Sequence, residues 1–146
     1  MSRKHYHQSI FIPKNPEKYV GNKSIKCRSS WEKKFCTMCD SNPNILNWNS
    51  EGIIIPYLDE NNNSHNYYVD FLIKILTKEN IEKMILIEVK PLKQTLPPKR
   101  PKRISKSYVE SLVLYNKNIA KWDAAKEYCK DKDMEFKIIT QKELGI

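Results

Sequence analysis

Met84-Ile85-Leu86-Ile87-Glu88-Val89-Lys90 is the stretch on which the fold class turns. A short unbroken apolar run is the pattern of a strand covered on both faces, lying in the middle of a sheet with helices on either side. Pro91 ends the run, because proline brings no N–H to a ladder. The apolar character breaks only at Glu88 and Lys90. Residues two apart on a strand share a face, about 7 Å from each other. Glu88 and Lys90 therefore project into one space while Val89 packs behind them. An unpaired carboxylate or ammonium is costly to bury, so the two serve each other or a ligand.

Working outward, Tyr67-Tyr68-Val69-Asp70-Phe71-Leu72-Ile73-Lys74-Ile75 reads as a neighbouring strand. The turn Asn61-Asn62-Asn63-Ser64 joins it to a β-branched stretch, residues 52–57, as an antiparallel pair. Upstream, Ser29-Ser30-Trp31-Glu32 opens a helix reaching about Asp40, with Ser29 as N-cap and Glu32 three residues on. Downstream, apolar positions from Val109 to Cys129 follow helical spacing over residues 107–130, and residues 135–140 read as a last strand. The expected order is helix, three strands, helix, strand. This is an α/β domain with a central mixed β-sheet flanked by α-helices, spanning residues 26–146. Residues 1–25, basic and broken by Pro13, Pro16 and Gly21, read as an extended basic N-terminal arm whose Tyr6, Phe11 and Tyr19 could tack it to the core.

At 146 residues, the chain is one domain long. No run approaches the ~18 to 20 apolar residues of a membrane span, and Met1-Ser2-Arg3-Lys4-His5 leads into no apolar signal segment. Neither a membrane partner nor export is expected. The net charge of +9 is unevenly spread: residues 1–34 hold nine Lys/Arg and two acids, and residues 90–106 hold seven Lys/Arg and no acid. Such segregation is the footprint of a polyanion binder, although a solvated basic face has the same composition. The second basic stretch carries Pro91, Pro97, Pro98 and Pro101, so it forms a cationic surface loop. Its Lys93, Lys99, Arg100, Lys102 and Arg103 are the candidate DNA-phosphate contacts.

Three Glu-x-Lys triplets occur, at Glu32, Glu88 and Glu135, about as many as chance gives with 17 acids in the chain. Only the triplet at Glu88 ends an otherwise apolar strand. Asp70, also amid apolar neighbours, supplies a second carboxylate. Two acids at the end of central strands beside one lysine suit Mg²⁺, which takes one or two carboxylates and keeps several waters. Mn²⁺ is an acceptable substitute. The cation would polarise a phosphate oxygen and acidify a bound water, and Lys90 would orient that water or offset charge on the phosphorane. A Glu88–Lys90 or Asp70–Lys90 ion pair that fixes the sheet is the structural alternative. Glu32 likewise has two readings, since Ser29-x-x-Glu32 is also a capping box.

Cys27, Cys36, Cys39 and Cys129 read as reduced thiols. Cys36-x-x-Cys39 finds no second close pair of ligands, His5, His7 and His65 included, so no structural zinc is expected.

Glu32 in an early helix, Asp70 in Tyr-Val-Asp-Phe and Glu88-Val89-Lys90 resemble the PD-(D/E)xK nuclease superfamily, in particular its transposon-end branch. Val69 stands where that superfamily often has proline, a position that does no chemistry. More narrowly, Tyr6-His7-Gln8-Ser9-Ile10-Phe11, residues 13–19, residues 27–32 and Leu86-Ile87-Glu88-Val89-Lys90-Pro91 resemble the head-completion nucleases of T-even-like tailed bacteriophages. The resemblance implies a restriction-endonuclease-like fold and a metal-dependent endonuclease acting on packaged DNA ends before head–tail joining. It implies Asp70 and Glu88 as metal ligands, Lys90 as catalytic and Glu32 as an assisting acid. Phage head or head–tail connector proteins are the implied partners, and the host cytoplasm during infection, or the virion, the implied location. A non-catalytic DNA-binding head-completion protein of the same fold is the alternative.

Overall fold

Through residues 8–146, which the computed structural model describes, the chain runs through β1 (Ser9–Phe11), β2 (Ile25–Cys27), α1 (Ser30–Ser41), β3 (Ile45–Ser50), β4 (Ile54–Leu58), β5 (Ser64–Tyr68), β6 (Phe71–Leu76), β7 (Glu82–Val89), α2 (Lys106–Asp131), β8 (Glu135–Ile139) and α3 (Gln141–Leu144). The central sheet has the order β3-β6-β7-β8. Its first two pairings are antiparallel and β7–β8 is parallel. The parallel pairing follows from α2, because only a crossover returns the chain in the same direction. β1–β2 and β4–β5 are separate two-stranded ladders.

β7 lies inside the sheet, and alternate residues feed two cores. Ile85 and Ile87 join Trp48, Phe71, Ile73, Phe35, Cys36 and Cys39 beneath α1. Leu86 joins Trp122, Ala125 and Cys129 of α2, together with Ile55, Tyr57 and Tyr67 of the β4–β5 hairpin. Both faces are thus dry along most of the strand, which is why its sequence shows no alternation. The first face also holds Cys27 and Cys36, buried free thiols whose Sγ atoms are 3.4 Å apart.

Helix ends follow their caps. The Ser29 hydroxyl accepts from the Glu32 amide at 3.1 Å to start α1, and the Ser105 hydroxyl accepts from the Tyr108 amide at 3.1 Å to start α2. Each bond satisfies an amide that the helix leaves without a partner.

The expected order of helix, three strands, helix and strand lacks β1, β2, β3 and α3, and one of its strands is two. Residues 67–75 are not one strand: the ladder breaks at Val69-Asp70, so β5 pairs with β4 while β6 pairs with β3 and β7. At the break the Val69 amide donates to the Ile53 carbonyl and the Asp70 carbonyl accepts from Glu51. Hydrophobic alternation continues unbroken through such a change of sheet and gives no sign of it. β3, Ile45-Leu46-Asn47-Trp48-Asn49-Ser50, went unread because only Ile45 and Trp48 are buried in it and its register slips between Ile45 and Asn47. In the basic N-terminal segment, Phe11 and Tyr19 meet Trp48 edge-on at 5.9 and 4.8 Å between ring centroids. Tyr6, His5 and His7 lie outside the described residues.

Candidate active site

The carboxylates of Asp70 and Glu88 meet at the C-terminal end of β7. Glu88 is on the α2 face of the strand, 5% exposed, and its Oε2 accepts from the Trp122 indole N–H at 3.0 Å. Asp70 occupies the β5–β6 junction, one step beyond the Phe71–Ile87 pair of the ladder. Its Oδ2 accepts from the Val89 backbone N–H at 2.8 Å. The break between the two ladders therefore gives the sheet an acid where a continuous strand would have placed one more packing residue.

Burial first, and then the charge and hydrogen bonding of Glu88, push the Asp70 carboxyl well above the usual carboxylate range. Two acids this close cannot both ionise comfortably without a cation. The donor set therefore fits a hard divalent metal. Among the described residues no three His, Cys, Asp or Glu side chains gather as a metal cage, so a cation here would take these two carboxylates and complete its shell with water.

Lys90 lines the same cleft, of about 480 Å³, together with Arg28, Glu51, Tyr67 and Lys121. Among the described residues Lys90 belongs to no ion pair. The ion-pair reading of Glu88-Val89-Lys90 is thus not realised: the lysine stands in the cleft without a carboxylate partner.

Glu32 sits in the first turn of α1, partly buried, and does not line the cleft. Burial raises its pKa; the amide and guanidinium of Arg28 and the Ser29 hydroxyl oppose this, and Glu88 adds a smaller upward push. Glu32 is therefore within electrostatic reach of the acid pair. At α3 a full capping box forms, with the Glu143 carboxylate accepting from the Thr140 amide at 2.9 Å. At α1 the Glu32 carboxylate instead meets the Ser29 hydroxyl at 3.4 Å, and the reciprocal bond to the Ser29 amide is not made.

The basic loop leaves the sheet directly after Lys90. Lys93 and Lys99 line a groove of about 470 Å³ against Tyr115 and Asn118 of α2, and Arg100, Lys102 and Arg103 are exposed. None of these cations lines the carboxylate cleft.

Sequence reading missed Tyr67, Trp122 and Lys121. Trp122 and Tyr67 looked like ordinary core aromatics, and their polar ends become informative only once Glu88 is placed. Lys121 is one of many lysines, and only the packing of α2 brings it to the cleft.

Comparison with known proteins identifies related chains. Residues 42–141 match the family described as TnsA-like endonuclease N terminal, a span that contains Asp70, Glu88 and Lys90 and leaves out Glu32. The head completion nuclease of Enterobacteria phage T4 is 34% identical over 137 residues, covering 90% of this chain and 89% of that protein.

Proposed function

The chain belongs to the TnsA-like endonuclease family, with a restriction-endonuclease-like α/β fold, and from that premise we propose that it is a metal-dependent DNA endonuclease. The observation that carries the reading is the convergence of Asp70, Glu88 and an unpaired Lys90 in one cleft. Asp70 and Glu88 would hold Mg²⁺, or Mn²⁺ in its place. When bound, the cation supplies charge to a phosphate oxygen and acidity to a water.

The chain's own residues do the rest. The Val89 amide and the Trp122 indole hold the two carboxylates in position, the kind of outer support that fixes ligand orientation. Lys90 orients the attacking water and offsets charge that grows on the phosphate. Glu32 assists from behind the acid pair, and Lys93, Lys99, Arg100, Lys102 and Arg103 track the DNA backbone.

Likeness to the phage T4 head completion nuclease supports a nuclease role in head completion, and the substrate proposed for that role is the end of packaged phage DNA. The partners are head or head–tail connector proteins, and the setting is the infected host cytoplasm or the virion. No helix among the described residues is long and apolar enough to cross a membrane.

The test is incubation of purified protein with linear, circular and branched DNA, with Mg²⁺, with Mn²⁺ and with chelator. Cleavage that requires the cation is expected. Salt-sensitive DNA binding with no cleavage of any substrate would instead establish a non-catalytic DNA-binding protein of the same fold.

A further inference from the structure

We propose that Lys121 is a second active-site lysine, presented by α2 across from Lys90, and that it grips the phosphate of the DNA strand being cut; the inference rests on the nuclease reading above. Lys121 lines the carboxylate cleft although it comes from a different element than the motif residues. It is partly buried, and its Nζ lies 5.6 Å from the centroid of the Tyr67 ring. An aromatic face at that distance holds an ammonium in place without neutralising it. Among the described residues Lys121, like Lys90, makes no ion pair. Two lysines and two carboxylates thus share a cleft without pairing, which leaves both ammonium groups for a ligand.

A second observation points the same way. Tyr67 is 3% exposed, and among the described residues its hydroxyl makes no well-formed hydrogen bond, although it faces the Glu88 carboxylate. Leaving a buried donor unsatisfied is costly. A cleft that presents two ammonium groups beside two acids is built for an oxygen-rich anion that arrives with its cation, as a phosphodiester does.

The helix is also well placed to continue the basic loop. Trp122 ties α2 to Glu88, which fixes Lys121, its neighbour, at the cleft edge. Lys117, exposed one turn earlier, is about 6 Å back along the helix axis, close to the spacing of successive phosphates. Lys121 is thus the inner end of a cationic path, and Lys90 remains free to act on the attacking water.

The experiment compares the full chain with Lys121→Met, Lys121→Arg and Tyr67→Phe. Single-turnover cleavage of linear duplex DNA is measured with Mg²⁺, duplex binding is measured by anisotropy with chelator at several salt concentrations, and Mn²⁺ binding is measured without DNA. Lys121→Met should slow cleavage by about 10²-fold. Its log K against log salt slope should flatten by roughly one phosphate, about 0.9, and its Mn²⁺ affinity should stay near wild type. Lys121→Arg should recover most of both losses, and Tyr67→Phe should slow cleavage on the order of tenfold.

An unchanged cleavage rate and slope in Lys121→Met would overturn the proposal. So would an altered Mn²⁺ affinity with an unchanged salt slope, which would make Lys121 only a counter-charge for the acids. Should Lys121→Met fold poorly, Lys121→Arg still decides through cleavage and slope together. Should wild type cleave no DNA, the nuclease reading fails, while the binding slope still tests the phosphate contact.

Discussion

Glu88-Val89-Lys90 and Glu135-Phe136-Lys137 are the same triplet on neighbouring parallel strands, and they meet different fates. The β7–β8 register sets Glu135 opposite Ile85 and Lys137 opposite Ile87. The second triplet therefore begins three residues earlier along the sheet than the first. Glu135 and Lys137 are exposed, and Glu135 reaches a surface lysine, Lys83, at 3.7 Å. Glu88 is nearly enclosed, bonded to Trp122 and held against Asp70. Spacing makes the two look alike; position along the sheet, and the element that covers it, decides which is enclosed beside a second acid.

The largest expected effect separates the triplets directly. Glu88→Gln should lower single-turnover cleavage by ~10³-fold or more, since an amide is a poor ligand for a hard cation. Glu135→Gln should leave the rate unchanged and shift stability by less than about 0.5 kcal/mol. Equal rates for the two variants would erase the contrast. Next in size, Trp122→Phe removes the donor that orients Glu88. Metal affinity or cleavage should fall about 10- to 100-fold, measured as the Mg²⁺ concentration for half-maximal rate, with most of the fold retained.

How much of this contrast could be read in advance differs by residue. The unbroken apolar run marked β7 as central, and Glu88 and Lys90 stood out because nothing else polar interrupts it. Asp70 was legible for the same reason, but its place was not: it sits where the chain changes ladders, and periodicity does not record which partner a strand has. Trp122, Tyr67 and Lys121 were illegible because their roles arise from long-range packing of α2 and the β4–β5 hairpin against β7. β3 was hidden because half of its residues are polar, only Ile45 and Trp48 are buried, and its register slips. The start of α1, by contrast, was plain from Ser29 and Glu32, since a cap is a local device.

Glu32 sharpens the comparison further, because it begins the third triplet and lies behind the acid pair. Glu32→Gln keeps a residue that can serve at the start of a helix, and the Ser29 cap remains, so the melting temperature should hold. Cleavage should drop by roughly tenfold or more if its charge supports the site. A normal rate would make it a structural residue. Smallest on the chemical step is the basic loop. Lys99, Arg100, Lys102 and Arg103 changed together to Ala should weaken DNA binding and flatten its salt dependence by up to about 0.9 per lost phosphate contact. The loss should be similar for all sequences, with cleavage at saturating DNA little changed. An unaltered slope would remove the loop from the DNA track.

The most direct test of the account is calorimetric titration of Mn²⁺ into the DNA-free protein and into Asp70→Asn. Because Asp70 keeps its proton above the ordinary value of about 3.9, as burial and Glu88 dictate, a cation arriving below that raised pKa must displace the proton. Affinity should therefore weaken as pH falls from about 7.5 to about 5, with more protons released per metal at the lower pH. Asp70→Asn should bind Mn²⁺ at least ~10-fold more weakly at about pH 7.5 and lose that pH dependence. Wild-type affinity in Asp70→Asn, with the same pH dependence, would contradict the claim that Asp70 and Glu88 form the metal centre.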